Sequence, residues 1–455
     1  MSWSDALTKA LPLLHVLEER GFETVFVGGC VRDTLLGKAL KDVDIATSAT
    51  PEQVIAAFPH TIPTGLQHGT VTVVHEGETY EITTFRTESA YEQFRRPTQV
   101  QFVTSLEADL LRRDFTINSM AMRADGSVVD PFGGLADLRR GVLRCVGDAD
   151  ARLQEDALRI VRAVRFAAAY KLRIAHGTWR AILRHRGLLA HIAMERVGLE
   201  LDKMIAGSGP HQAAAWLAVS GLLAYTKVQL PEPLAAEAAR YRMDKHGDSN
   251  TKLAIQALIE LPQAEDRWAA LCMALSFSSE QATELFAELK YASARSSQLS
   301  AVVGLHREML DALQSIEFAA LSDQQLSSQW IRLIVGKYDV AAARGWLRVI
   351  KSIPILLLTL QSQASSSLLE VLEVLEVLES RLNKLPAVIL KDLAVKGSDV
   401  LALRKDRQAG PWLGQTMNEL LLAAALGAVP NEKQSLLNLA DRVIDFGSAA
   451  YEEPL

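Results

Sequence analysis

Two carboxylates in the run Lys41-Asp42-Val43-Asp44-Ile45-Ala46-Thr47 are the first residues of the chain with an evident chemical use. On a β-strand, side chains two apart share a face, so Asp42 and Asp44 would converge while Val43 turns into a core. Paired hard-oxygen donors suit divalent cations, and two such ions can activate a hydroxyl and neutralise a departing pyrophosphate. Taken alone, Asp-x-Asp is more often a solvated turn or strand edge. The residues upstream sharpen it. Thr24 to Gly29 reads as a buried strand ending in Gly28-Gly29, followed by a helix from near Val31. Backbone N–H groups at such a turn face whatever occupies it, and a triphosphate is a natural occupant. A tight turn with no ligand accounts for the same glycines. Arg32 and Lys38, on or just after that helix, are placed to add charge-assisted contacts to phosphate oxygens.

A second set lies in Glu155 to Arg165. If the run is one helix, Asp156, Arg159, Arg162 and Arg165 recur every three residues as a slowly drifting polar ridge, with Leu158, Ile160, Val161 and Val164 packed inward. An i,i+3 salt-bridged face is the commoner meaning of this spacing. A carboxylate beside a guanidinium also complements the edges of cytosine and adenine, each of which offers an exocyclic amine next to a ring acceptor. Guanine and uracil reverse that pattern and would leave such a pair unsatisfied.

These residues need elements to position them. At 455 residues the chain is too long for one core and predicts several domains. Its 49% hydrophobic and 22% charged composition is that of a globular protein and excludes disorder. Cys30, Cys145 and Cys272 have no CxxC or histidine partner at metal-ligand spacing, which suits a reducing cytoplasm. The N-terminal residues read as an amphipathic helix with no targeting signal, and no apolar run is long enough to span a bilayer. No membrane role is implied. A net charge of −6 argues against indiscriminate nucleic-acid binding, yet residues 161–210 carry nine basic and three acidic residues, a local excess that a phosphate backbone would use. A solvated helix surface explains it equally well.

The first 145 or so residues mix strand and helix signals. Thr50-Pro51 starts a helix as N-cap and first residue. Gly69 to His75 and Glu78 to Phe85 alternate as a hairpin turning at Glu76-Gly77, and a second hairpin turns at Asp125-Gly126. Beyond Ala149 only helix-period segments are expected. Breaks are read at Gly207 to Pro210, around Lys245 to Asn250 and at Gln361 to Ser367. Val371 to Glu379, a threefold Val-Leu-Glu triplet, predicts one amphipathic helix. The predicted division is 1–148, 149–208, 209–360 and 361–455.

The run Gly28 to Thr47 combines Gly-Gly, Arg-Asp, Leu-Leu-Gly and Asp-x-Asp, and resembles the polymerase-β-like nucleotidyltransferases of the class II tRNA CCA-adding and bacterial poly(A) polymerase group. TGLQHGTVTVV, EITTFR, LRRDFTINSMAM, DPFGGLADL and EDALRIVRAVRF follow in that family's order. The similarity spans about residues 20 to 205, with weaker matches in LAVKGSDV, GPWLG and VPNEK. The implied fold is α+β: a head with a mixed, largely antiparallel sheet, then an all-helical neck, body and tail. The implied activity is template-independent addition of C, C and A to the 3′ end of tRNA from CTP and ATP, with Mg²⁺ as cofactor and tRNA as partner. Asp42 and Asp44 match the metal ligands, and Gly29, Arg32 and Arg113 match nucleotide contacts. Asp156 and Arg159 match the residues that hold the base edge, with Arg162 and Arg165 supporting the nucleotide. Arg95-Arg96-Pro97 and the preceding Glu88 to Phe94 resemble the family's flexible segment. The residues themselves leave open whether Glu81 is a third site carboxylate, whether His68 has any role beyond a core or turn hydrogen bond, and whether Asp114 and Asn118 contact sugar or cap their turn. Gly410 to Gly414 would begin a helix, either capped or receiving an RNA phosphate. A poly(A) polymerase, a CC-only or A-only enzyme, and a non-catalytic RNA binder are the competing readings; retention of both aspartates opposes the last, since paired carboxylates would repel a polyanion. The oligomeric state stays open, a homodimer among the alternatives.

Overall fold

The computed structural model describes residues 4–92, 96–232, 234, 250–314, 323–358, 368–404 and 407–446. They form two compact units, Met1–Leu230 and Pro231–Leu455. The first carries every candidate residue named above except the Gly410 helix.

In the first unit, α1 (Asp5–Glu18) is capped by the Ser4 hydroxyl and buries Leu7, Ala10, Leu13, Leu14 and Leu17 at helical spacing. Each fully buried leucine contributes about 1.5–3 kcal/mol. β1 (Thr24–Val27) is buried throughout and runs into α2 (Gly29–Leu35). After β2 (Asp44–Thr47), Thr50 and Gln53 form a reciprocal capping box for α3 (Pro51–Ala57). Next come β3 (Thr61–Gly65), β4 (Thr70–His75), β5 (Glu78–Thr84), β6 (Arg86–Glu92) and β7 (Arg96–Phe102). The predicted β4–β5 hairpin forms, with Glu76 and Gly77 both at positive φ (51° and 82°), as a two-residue type I′ turn requires. α4 (Leu106–Leu111) leads through a 3₁₀ turn (Thr116–Asn118) to the predicted second hairpin, β8 (Ala121–Met122) and β9 (Val128–Val129).

The seven-stranded sheet has the order β3-β4-β5-β2-β1-β8-β9. All its pairings are antiparallel except β2–β5, which is parallel and pairs Asp44 with Glu81. This mixed, largely antiparallel sheet agrees with the expected fold class. Under it, Val25, Val27, Ala46, Ala121 and Phe85 pack with Leu106 and Leu110, so α4 is fixed to the sheet beside the ends of β1 and β2. β6 and β7 pair separately as an antiparallel ribbon. The connecting residues 93–95, and so Arg95 of the expected flexible segment, lie outside the described residues.

Helices then follow: α5 (Gly134–Arg140), α6 (Ala149–Glu155), α7 (Leu158–Ala169), α8 (His176–His185), α9 (Met194–Ala206) and α10 (Pro210–Ser220). One strand departs from the all-helical expectation. β10 (Val142–Leu143) pairs in parallel with β11 (Arg173–Ile174), too short a strand for periodicity to register. α10 packs on α7 and α9, so the first unit runs past the glycine-rich break at 207–210. The breaks expected at 245–249 and 361–367 lie outside the described residues. In the second unit all described elements are helical, and the Val-Leu-Glu triplets do lie in one helix, Leu368–Asn383.

α5 begins where no side chain fits. A Cβ on Gly134 would lie 2.2 Å from the Thr116 carbonyl oxygen and 2.9 Å from Met120 Cγ. Replacing Gly134 by Ala forces α5 off the 3₁₀ turn and is expected to cost about 2–3 kcal/mol. Urea denaturation of the G134A variant reads that loss, and an unchanged midpoint would contradict the close packing.

Candidate functional site

The acidic end of the site is built by strand pairing. β2 starts at Asp44, so Asp42 and Val43 precede the strand instead of lying on it. This corrects the expectation of an Asp-x-Asp pair on one strand face: Val43 is only half-buried, and Asp42 is exposed on the approach to the sheet. The parallel β2–β5 register supplies another carboxylate by setting Glu81 directly opposite Asp44. Alternation along β5 could not reveal this, because it fixes the face of a residue but not the neighbouring strand. Asp44 is exposed at the strand's start, yet partial desolvation of its carboxyl pushes it above its usual range; the Arg113 guanidinium opposes this, and the charges of Glu81 and Asp42 add to it. A hard divalent cation fits an all-carboxylate donor set in which Glu81 and Asp42 raise the proton affinity of Asp44. Among the described residues no three acidic, histidine or cysteine side chains are already gathered as a metal cage. The candidate donors are an aspartate, its cross-strand glutamate and a second aspartate two residues upstream.

Across from them stands Arg113. Gly28 links β1 to α2 at φ 72°, ψ −124°, a backbone conformation reserved for glycine. A Cβ there would lie 2.9 Å from Arg113 Nη1 and 4.0 Å from Asp44 Oδ2, so the bare backbone is what lets Arg113 approach the carboxylates. Arg113 Nη2 donates to Asp109 Oδ2 at 3.2 Å, while its buried Nε has no partner. An unspent donor beside a glycine turn is suited to an anionic ligand. Gly29 opens α2, and a Cβ there would lie 3.6 Å from Arg32 Nη2.

Arg32 itself is buried. Its Nε and Nη2 donate to the Asp33 carboxylate at 3.0 and 2.9 Å, its Nη1 donates to Asn118 Oδ1, its Nη2 also donates to the Tyr170 hydroxyl, and its guanidinium lies 4.2 Å from the Tyr170 ring centroid. Lys38 lies over the same ring, also at 4.2 Å. Asn118 in turn donates to Asp114 Oδ1 at 3.0 Å, and Asp114 Oδ2 accepts two bonds from Arg162, at 2.9 and 2.7 Å. The alternatives left open for Asp114 and Asn118 thus resolve into a bridge between the 3₁₀ turn and α7. Burial opposes the Asp114 charge, but Arg162 and Asn118 hold its carboxyl down at about 2. Arg162 and Arg165 both reach the buried Glu200 of α9, at 3.7 and 2.5 Å.

The Glu155–Arg165 run is not one helix. α6 ends at Glu155, Asp156 is extended (φ −137°, ψ 104°), and α7 begins at Leu158. The ridge through Asp156 is corrected accordingly, since only Arg159, Arg162 and Arg165 lie on α7. Asp156 Oδ1 accepts from the Leu158 N–H at 3.1 Å, and Arg196 of α9 donates to its Oδ2 at 2.8 Å. Arg159 donates to Glu155 Oε2 at 2.5 Å and to the Arg112 carbonyl at 2.9 Å, which ties α7 to the end of α4. Asp156 and Arg159 thus flank the helix break, each held by its own partner.

Sequence reasoning missed Asp33, Asp109, Tyr170, Arg196 and Glu200. Asp109 had a local signal, four residues before Arg113 on α4. The other four act through partners that no sequence spacing indicates, except Asp33, which adjoins Arg32. His68 is exposed, and its carbonyl accepts from Arg86. Gly410 caps the helix Pro411–Leu426 in the other unit, without a side-chain bond.

The family described as the poly A polymerase head domain matches residues 24–144. One described as a probable RNA and SrmB-binding site of polymerase A matches 171–232, and a putative tRNA nucleotidyltransferase domain 2 matches 348–440. The CCA-adding enzyme of Geobacillus stearothermophilus is 37% identical over 94% of this chain and 95% of its own. That of Lactiplantibacillus plantarum is 38% identical over 96% of both chains. Among solved structures, the Bacillus stearothermophilus CCA-adding enzyme in complex with CTP superposes with a TM-score of 0.74 at 34% identity, covering 97% of this chain and 98% of that one.

The folded Asp114 carboxyl ionises near 2, below its ordinary 3.8. It therefore stabilises the fold fully above about pH 4, and this contribution, on the order of 2 kcal/mol, is lost as pH falls towards 2. Asp114→Asn, which strips Arg162 of its bidentate partner, is expected to cost about 2–4 kcal/mol at pH 7 and distinctly less at pH 3. Denaturation midpoints at the two pH values check this; an equal loss at both would contradict the charged bridge.

Proposed function

The chain belongs to the family of CCA-adding enzymes, and from that premise we infer that it extends the 3′ end of tRNA with C, C and A, taking CTP and ATP and releasing pyrophosphate, with no nucleic-acid template. The observation that carries the reading is the juxtaposition at the ends of β1 and β2. Asp44 lies opposite Glu81 with Asp42 just upstream, and Arg113 reaches them over the bare backbone of Gly28.

Nucleotidyltransferases of this kind use a divalent metal, which we take to be Mg²⁺, held by Asp42 and Asp44 with Glu81 beside them. Bound there, it would lower the proton affinity of the RNA 3′-hydroxyl and neutralise charge on the triphosphate. The chain's own groups do the remainder. Arg113 has an unspent Nε to offer a phosphate oxygen. Gly29 and Arg32 line the turn on the triphosphate side, and the bonds of Arg32 to Asp33, Asn118 and Tyr170 keep that turn rigid. No side chain needs to act as a nucleophile in a direct in-line displacement.

Base choice falls to Asp156 and Arg159. With the carboxylate accepting from the exocyclic amine and the guanidinium donating to the ring acceptor, cytosine and adenine are both satisfied. Uracil and guanine present the reverse pattern and leave buried polar groups unpaired. Arg162 and Arg165, held by Asp114 and Glu200, support the nucleotide from α7. In this division residues 1–148 are the catalytic head, 149–208 the neck that selects the base, 209–360 a helical body and 361–455 a tail that grips tRNA. Recognition of the RNA would be by shape and backbone, since A-form grooves hide base identity. No helix among the described residues is long and apolar enough to cross a membrane, and we assign the enzyme to the cytoplasm.

Three tRNA transcripts ending before CCA, after C and after CC, incubated with Mg²⁺, CTP and ATP, should gain CCA, CA and A respectively. Asp42→Ala should lower the rate by at least about a thousandfold. Arrest after CC, action only on the CC-ended transcript, or a long A tail would replace the reading with a narrower relative; no extension by folded protein would remove it.

Arg196→Met, which frees the Asp156 carboxylate from α9, should reduce the preference for CTP over UTP by about tenfold, because a misaligned pair no longer penalises the wrong edge. Single-turnover incorporation of each nucleotide measures the ratio, and an unchanged ratio would show that Asp156 is held without Arg196.

A further inference from the structure

On the short β10–β11 pairing, away from the carboxylates, lies a cavity of about 560 Å³ lined by Arg144, Arg173, His176, Trp179 and Trp216 among others, with no acidic residue. Its size falls in the roughly 300–1,000 Å³ range of small-ligand sites. Three elements build it. The parallel pairing of β10 and β11 sets Arg144 and Arg173 on one rim, α8 starts directly after β11 and carries Trp179, and α10 supplies Trp216 from the far side. The two indoles are in contact, with centroids 5.2 Å apart and planes at 57°.

The electrostatics of the rim are one-sided. Asp137 engages Arg144 through Nε and Nη2 only, and the Arg144 side chain remains about half exposed. Arg173 is exposed and has no ion-pair partner among the described residues. From Ala157 to Met194 the chain contains no Asp or Glu at all. Arg159, Arg162, Arg165 and Arg184 of this stretch are balanced by Glu155, Asp114, Glu200 and Asp150, which leaves Arg173 as a rim cation without such a counter-charge among the described residues. Paired indoles beside two guanidiniums, one only partly engaged by a carboxylate and the other without an ion pair among the described residues, match a ligand with a flat ring at one end and a negative charge at the other. Such sites hold single nucleotides of RNA by stacking and phosphate contact.

We propose that this cavity is a second RNA subsite, which takes one unstacked nucleotide of the RNA substrate with its base against Trp179 and Trp216 and its phosphate on Arg144 and Arg173. It rests on the reading of the chain as a tRNA-extending enzyme and adds a contact that no part of the reaction centre supplies. The site grips RNA without choosing the incoming nucleotide.

The test uses the full chain, a tRNA transcript lacking CCA, and CMP as the free-nucleotide probe. Arg173→Glu and Trp216→Ala should each raise KM for the transcript about tenfold, with kcat and KM for CTP unchanged, and Trp216→Phe should restore most of the loss by keeping a ring to stack on. Ultraviolet irradiation of wild-type protein with the transcript should join RNA to the peptide bearing Trp179 or Trp216, and excess CMP should leave that adduct in place. Unchanged transcript KM in Arg173→Glu, or equal failure of Trp216→Phe and Trp216→Ala, would overturn the proposal. Loss of the adduct to CMP would mean a free-nucleotide site and overturn the RNA assignment. If wild-type protein bound the transcript but did not extend it, the proposed function would fail, while transcript affinities of the same variants would still decide the subsite.

Discussion

A carboxylate buried beneath the 3₁₀ turn, Asp114, must be paid for by donors, and the rest of the site is arranged around that demand. Desolvating an ion costs several kcal/mol unless its lone pairs are filled. Asp114 fills them with its neighbour's backbone N–H, the Asn118 amide and two N–H groups of Arg162. Each donor is itself committed elsewhere. Asn118 accepts from Arg32 through its side-chain carbonyl, and Arg162 also pairs with Glu200 of α9. A chain of charge-assisted bonds therefore runs from α2 through the turn and α7 to α9, and networks of this type specify one geometry because partial satisfaction is worse than none.

That geometry has a functional consequence. Asp44 and Glu81 sit on the sheet, the pair we propose selects the base sits at the α6–α7 break, and a reaction at one must then be aligned with recognition at the other. Arg159 bonding to the Arg112 carbonyl, one residue before Arg113, couples the two directly. A rigid frame is what selection by hydrogen-bond pattern needs, because a pair free to reorient could satisfy uracil or guanine as well. Holding Asp156 through Arg196 and Arg159 through Glu155 keeps both groups oriented before any nucleotide arrives.

Much of this was legible in the amino-acid sequence. The turns at Glu76-Gly77 and Asp125-Gly126, the cap at Thr50 and the glycine turn before α2 each follow from local chemistry, and each forms as expected. What escaped depends on distant partners. The apolar periodicity from Leu153 to Val164 continues smoothly through Asp156, so nothing local marks the helix break, which is stabilised by Arg196 forty residues on. Glu81 needed the parallel pairing of β2 with β5 before its neighbour was known. Asp42 needed the strand to begin two residues later than its pattern suggests. The segment after the glycine-rich break at 207–210 joins the first unit because α10 packs on α7 and α9, a tertiary preference that composition does not report.

The central claim is that the protein alone, without a template, distinguishes C and A from U and G. Calorimetric titration of the RNA-free enzyme with each of the four nucleoside triphosphates in the presence of Mg²⁺ addresses it most directly. The account predicts that CTP and ATP bind with comparable affinity and that UTP and GTP bind at least about tenfold more weakly. Equal binding of all four would contradict it and move the source of selection from this frame to the RNA.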